Sequence, residues 1–181
     1  MHDELTVPVN ANDHIRGAEH APVTLIEYGD FQCPHCLAAE PMVRQLLEAF
    51  DGRVRLAFRH FPLEQVHDHA MLAAQASEAA GAQGKFWQMH DLLFEHQPHF
   101  DLRRLREYAQ SIGVDMARFV AEMDDEIYLQ RVREHQASGL GSGVAGTPTF
   151  FVNGRVYRGE EAGSLADRIA GALHAARAHR G

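Results

Sequence analysis

Cysteine is scarce. The 181-residue chain has two, and both lie in one heptapeptide, DFQCPHC, at residues 30–36. That excludes a multi-disulfide scaffold of the kind small secreted domains use. Long apolar runs are missing too; none approaches the roughly 18 residues that a membrane helix needs. A positive excess is also missing: 17 basic residues face 25 acidic ones, for a net charge of −8. That argues against a nucleic-acid partner, which asks for a basic patch. Lysine is all but absent, with Lys85 alone, and nothing mechanistic follows from it. The N-terminus, MHDELTVPVNANDH, has neither the basic nor the apolar segment of a secretory leader. The expectation is a cytoplasmic protein; a leader already removed would make it periplasmic.

What is present is a foldable chain. A hydrophobic fraction of 45% over this length suits one domain, residues 1–181, with a sizeable core. The first 20 or so residues are polar and read as an arm. PVTLIEYGDF (22–31) is rich in β-branched and aromatic residues and reads as a buried strand. A helix follows from Cys33. It carries Leu37, Val43, Leu46, Leu47 and Phe50, contains Pro41, where a kink is expected, and stops at Asp51-Gly52. VRLAFRHFP (54–62) reads as a second strand. From about 64 to 138 the periodicity is helical, with Asp101 and Asp115 placed to cap two of the helices. The Gly-rich stretch 139–146 links to TFFVNGRVYRG, whose Asn153-Gly154 is a type I′ hairpin signal. An amphipathic helix from Ser164 ends the chain.

The strand-to-helix junction bears on the chemistry of the two thiols. At a helix start, unpaired N–H groups and the positive end of the dipole favour a thiolate. Pro34 suits the first helical position, where its missing donor costs nothing. Cys36 falls three residues on, on the same face and within disulfide reach. His35 adds a donor or a positive charge. The expected result is one exposed, reactive Cys33 and one sheltered, resolving Cys36. Two other readings stay open. A zinc site needs four ligands, and the histidines that could complete it (His67 and His69, His96 and His99, His174 and His179) have no finger-like spacing from the cysteines. A plain structural staple would close too short a loop to add much stability.

EYGDFQCPHC resembles the active site of the DsbA-like thiol–disulfide oxidoreductases of the thioredoxin superfamily. The resemblance covers nearly the whole chain: strand, C-x-x-C helix, strand, helical segment, T-P-T-F hairpin and last helix. It implies an α/β thioredoxin fold with a helical insertion between the second strand and the C-terminal β-hairpin. It implies a redox-active Cys33–Cys36 disulfide that needs no cofactor and no metal, and exchange with protein or peptide cysteines through a mixed disulfide at Cys33. Pro148 matches the cis-proline of the superfamily, and Thr147 the residue that offers its backbone to a substrate. Local sequence alone favours a trans bond there. Glu27 lies inside the apolar run VTLIEY, six residues before Cys33, where burial would raise its pKa and let it carry the Cys36 proton. A carboxylate reaching solvent from the strand end is the alternative.

Rival functions remain. One is a cytosolic disulfide reductase or a thiol enzyme linked to glutathione. Another is a non-catalytic peptide-binding module of the same fold, or a domain once fused to a transporter. Trp87, Phe94, Phe100 and Phe119 read as core more readily than as a substrate groove.

Overall fold

The computed structural model describes residues 3–159 and 164–178. The elements run β1 (His14–Gly17), β2 (Val23–Gly29), α1 (Pro34–Ala49), β3 (Val54–His60), α2 (Ala70–Gly81), α3 (Phe86–Glu95), α4 (Leu102–Ser111), α5 (Met116–Asp124), α6 (Leu129–Gly141), β4 (Thr149–Val152), β5 (Arg155–Val156) and α7 (Leu165–Ala178). This is the α/β order expected, with five helices between the second long strand and the hairpin. The described residues cluster into two compact units. One lies within Met1–Tyr28, Ala39–Arg59 and Ser138–Gly181, the other within Gly29–Ala38 and His60–Ala137.

The first unit carries a five-stranded sheet in the order β1-β3-β2-β4-β5. β2 runs antiparallel to β4, with Glu27 opposite Phe150 and Tyr28 opposite Thr149. Its apolar run is buried on both faces: Leu25, Ile26, Leu56, Phe58 and Phe151 are at most 1% exposed. Tyr28 meets Phe151 edge-on at 5.8 Å. The hairpin turns at Asn153 and Gly154, both at positive φ (48° and 81°), as a type I′ turn requires. Ile169 and Leu173 bury the inner stripe of α7.

One strand escapes the sequence reading. His14–Gly17, taken as part of a polar arm, pairs antiparallel with β3. Its four residues carry no alternation to betray it. What holds the arm is Arg59, 2% exposed. Its guanidinium grips Asp13 with two bonds (2.8 and 2.9 Å) and also donates to the carbonyls of Val7 and Pro8.

The second unit holds the start of α1 and the helices α2 to α5 with most of α6. α2 is Ala-rich, and Ala73, Ala76, Ala79 and Ala80 are fully buried. Such small side chains let it pack against α3, α4 and α5 together. Phe86, Met89, Leu93 and Phe94 form the buried stripe of α3. Phe94, Phe100 and Phe119 are core; Trp87 is half-buried. Asp101 and Asp115 each cap a helix, accepting from the N–H three residues on. Two boundaries differ from expectation. Helix does not begin at 64 but at Ala70, because the N–H groups of Leu63 and His69 are taken by side chains from elsewhere in the chain. At the other end α6 runs into the Gly-rich link as far as Gly141. It stops where Gly143 turns to φ 79° and the N–H of Val144 closes on the carbonyl of Gly139.

Candidate active site

The site is built where β2 hands over to α1. After Gly29 the chain leaves the sheet. The carbonyl of Asp30 accepts the Cys33 N–H at 3.1 Å, and the Cys33 carbonyl accepts the Leu37 N–H at 3.2 Å, so the turn leads directly into helix. Cys33 is the residue before the first helical position, Pro34 occupies that position, and Cys36 lies in the first turn. Pro34 and His35 are exposed. Cys33 and Cys36 are not disulfide-bonded and are 3% and 0% exposed. The sheltered Cys36 is as expected. Cys33 is not the exposed thiol that the motif suggests, because the loop before it is packed from two sides. Phe31 is 1% exposed and sits among the rings of Phe94, His90 and His60, with centroids at 5.1, 5.6 and 6.0 Å. Gln97 donates its amide to the carbonyls of both Phe31 and Cys33.

Sequence reasoning missed the residues that shape this loop. Asp30, 2% exposed, accepts the Gln32 N–H at 2.8 Å through one oxygen. Its other oxygen takes the Leu63 N–H at 2.9 Å and His67 Nδ1 at 2.7 Å. Its own N–H points at Cys36 Sγ, 3.5 Å away. Gln32 adds two links, donating to Asp68 and accepting from the His69 N–H. The His67-Asp68-His69 cluster, readable as a metal motif, is therefore laced to the loop before the cysteines. Only the place of Asp30 inside EYGDFQCPHC could have pointed to it.

Glu27, Thr147 and Pro148 fall in the first unit. Glu27 is fully buried, and neither carboxyl oxygen has a hydrogen-bond partner. Desolvation by burial, and then the charge of Glu40, push its pKa well above the ordinary carboxyl value. The solvent-reaching alternative for this residue is thereby excluded. The Thr147–Pro148 bond is cis, as is Gln97–Pro98. Thr147 and Pro148 border an open groove of about 490 Å³ that Tyr157 and Arg158 also line.

The described residues offer one compact metal-type cluster within the second unit. His60, Glu78 and His135 bring ligand atoms within 4.8 Å of one another. These atoms are already engaged. Glu78 pairs with His60 Nε2 at 2.8 Å and with Arg131 Nε at 2.7 Å, and His135 Nδ1 accepts the His60 N–H at 3.2 Å. The guanidinium supplies the positive charge that a cation would bring. Of the histidines weighed as zinc ligands, His67 is bonded to Asp30, His96 stacks on Tyr108, and His179 lies outside the described residues.

Comparison with known proteins bears on the family and the fold. A family model described as thioredoxin matches residues 9–168. The oxidised form of BdbD from Bacillus subtilis superposes with a TM-score of 0.79 at 25% identity, over 88% of this chain and 92% of that one. A thioredoxin-like oxidoreductase from Silicibacter pomeroyi DSS-3 gives 0.78 at 26% identity, over 93% and 94%. In sequence, the chain is 48% identical over 157 residues to the Na(+)/H(+) antiporter NhaA 1 of Salinispora arenicola, which is 86% of this chain but 24% of the antiporter. The chain thus spans about a quarter of the length of that relative.

Proposed function

Because the chain belongs to the thioredoxin family, we propose that it is a thiol–disulfide oxidoreductase of the DsbA type, acting on cysteine-containing proteins or peptides through Cys33 and Cys36. The observation that carries this reading is the placement of both thiols at one helix start, Cys33 ahead of Pro34 and Cys36 inside the first turn. The oxidised protein begins with a Cys33–Cys36 disulfide. A substrate thiolate attacks Cys33 Sγ, the S–S bond breaks, and its electron pair leaves with Cys36, which takes up a proton. A second substrate thiolate attacks the substrate sulfur of the mixed disulfide and releases Cys33 as a thiolate. Two electrons have passed from substrate to protein. The reverse sequence reduces a substrate disulfide. The net direction follows the poise of the surrounding thiol pool, glutathione included, so the same site serves an oxidant in the periplasm or a reductase in the cytoplasm.

Each remaining residue has a role in this reading. The positive end of the α1 dipole lies at Cys33, and exposed His35 offers a donor to the site. Glu27, its pKa raised by burial, is the group assigned to exchange the Cys36 proton. Thr147 offers its backbone to an extended substrate segment, in the manner of an added strand, beside Pro148; the groove along these two residues is compatible with such a segment. The deciding experiment is covalent trapping. Cys36→Ala should accumulate a mixed disulfide when its Cys33 thiolate attacks a disulfide-bonded peptide and expels the other half as a thiol, and Cys33→Ser should form none. Trapping at neither cysteine would refute the proposal.

The kinship with a segment of an antiporter favours a second reading, in which the fold holds partner peptides as a module of a longer protein. There, Cys33→Ser would leave peptide binding and any transport phenotype intact, which the exchange mechanism forbids.

A further inference from the structure

We propose that Asp30 is a positioning residue for Cys36: its buried carboxylate holds the loop so that its own main-chain N–H is aimed at the Cys36 sulfur and favours the dithiol state. The inference deepens the exchange mechanism above and rests on it.

The geometry has three parts. First, β2 ends at Gly29, so the Asp30 N–H has no strand partner; Cys36 Sγ takes it at 3.5 Å, with both residues buried. Second, one carboxylate oxygen accepts the N–H two residues on, at Gln32. That ring sets the Asp30 backbone angles locally. Third, the other oxygen accepts from Leu63 and His67, which anchors the loop to the segment before α2. A buried carboxylate with three such partners is well satisfied, and rotating it to re-aim the N–H would break all three.

The consequence concerns redox equilibrium. A thiolate or thiol sulfur accepts a hydrogen bond better than a disulfide sulfur does, since more negative charge resides on it. An N–H fixed at Cys36 therefore stabilises the reduced pair more than the oxidised pair. It makes Cys36 a better leaving group when a substrate thiolate opens the disulfide. Removing the carboxylate also removes a negative charge near the thiols, which works in the opposite direction. The informative comparison is thus between Asp30→Asn and Asp30→Ala. Both lack the charge, and Asn keeps an oxygen for the Gln32 N–H.

The experiment measures the dithiol–disulfide ratio of the full chain in glutathione buffers by thiol alkylation, with near-UV circular dichroism as the check on folding. Relative to Asp30→Asn, Asp30→Ala should shift the equilibrium constant toward the disulfide by about fivefold, the worth of one ordinary hydrogen bond. A purely structural role would weaken both redox forms alike and leave the constant unmoved. Equal constants in the two variants, or a shift toward dithiol in Asp30→Ala, would overturn the inference. Should Asp30→Ala fail to fold, His67 carries the test. His67→Ala should shift the constant toward disulfide by about twofold, and His67→Gln, which restores a neutral donor, should reverse it. No difference between those two overturns the inference equally. Absence of any two-electron transition in the unsubstituted protein would instead refute the oxidoreductase reading itself.

Discussion

At the residue scale two buried acids are treated differently. Asp30 is buried with three donors around it, and Glu27 is buried with none. An acid of the second kind opposes its own ionisation, and stability records that. The folded pKa of Glu27 lies above its unfolded value, so the folded state binds the proton more tightly. Its contribution is fully present below the ordinary carboxyl value and is lost as pH rises from there through the folded value. Glu27→Gln has no such titration. Urea unfolding of the two proteins at about pH 4 and about pH 7 should therefore show the variant gaining on the native protein toward neutral pH. A constant difference across that range would mean that Glu27 does not titrate with folding. The same substitution should slow exchange, read as the rate of mixed-disulfide formation, if Glu27 carries the Cys36 proton. The sequence announced Glu27 because a carboxylate inside VTLIEY is anomalous. It did not announce Asp30, since an acid at the end of a strand is ordinary; only its three partners reveal its task.

At the element scale the helix ends and turns were legible, because their chemistry is local. Asp101 and Asp115 cap helices as Ser, Thr, Asn and Asp do generally, and Asp101→Ala should cost about 1 kcal/mol in urea unfolding. Asn153-Gly154 specifies its own turn. β1 was not legible, because what makes it a strand lies about forty residues away. Its last residue, Gly17, has φ 109°, and an added Cβ would stand 3.0 Å from the Val54 carbonyl. Gly17→Ala should therefore cost about 1–3 kcal/mol, combining strain with a backbone clash. Asp13 just before it matters more. It neutralises the buried guanidinium of Arg59, and Asp13→Ala leaves that charge without its counter-ion. The expected loss is about 3–5 kcal/mol, measured by urea unfolding. A loss under about 1 kcal/mol would place Arg59 in contact with water.

At the scale of the whole molecule, redox state and stability are linked. Whatever stabilises the dithiol over the disulfide in the folded state must also raise the stability of the reduced protein relative to the oxidised one. The helix N-terminus at Cys33 and the Asp30 N–H at Cys36 both act in that direction, against the constraint a disulfide places on the unfolded chain; where they outweigh it, the reduced form should unfold later in urea. An oxidised form that outlasts the reduced one would mark the pair as poised for reduction of substrates. This is a property that no motif states, although the motif made it a question. Read along the chain, the sequence carries the family resemblance, the candidate thiols Cys33 and Cys36, the order of the elements from β2 onward and the local caps. The elements and caps follow from periodicity and turn chemistry, and the family from the resemblance of EYGDFQCPHC; neighbours along the chain suffice for each. Tertiary structure alone decided that Cys33 is packed rather than exposed and that the arm before β2 is a strand. It alone decided that the His67-Asp68-His69 segment is hydrogen-bonded to the loop before the cysteines. Each of those depends on partners brought together from 30 to 70 residues away, as Asp30 with His67, Arg59 with Asp13 and Gln97 with Cys33 are, and no local pattern encodes a partner at that range.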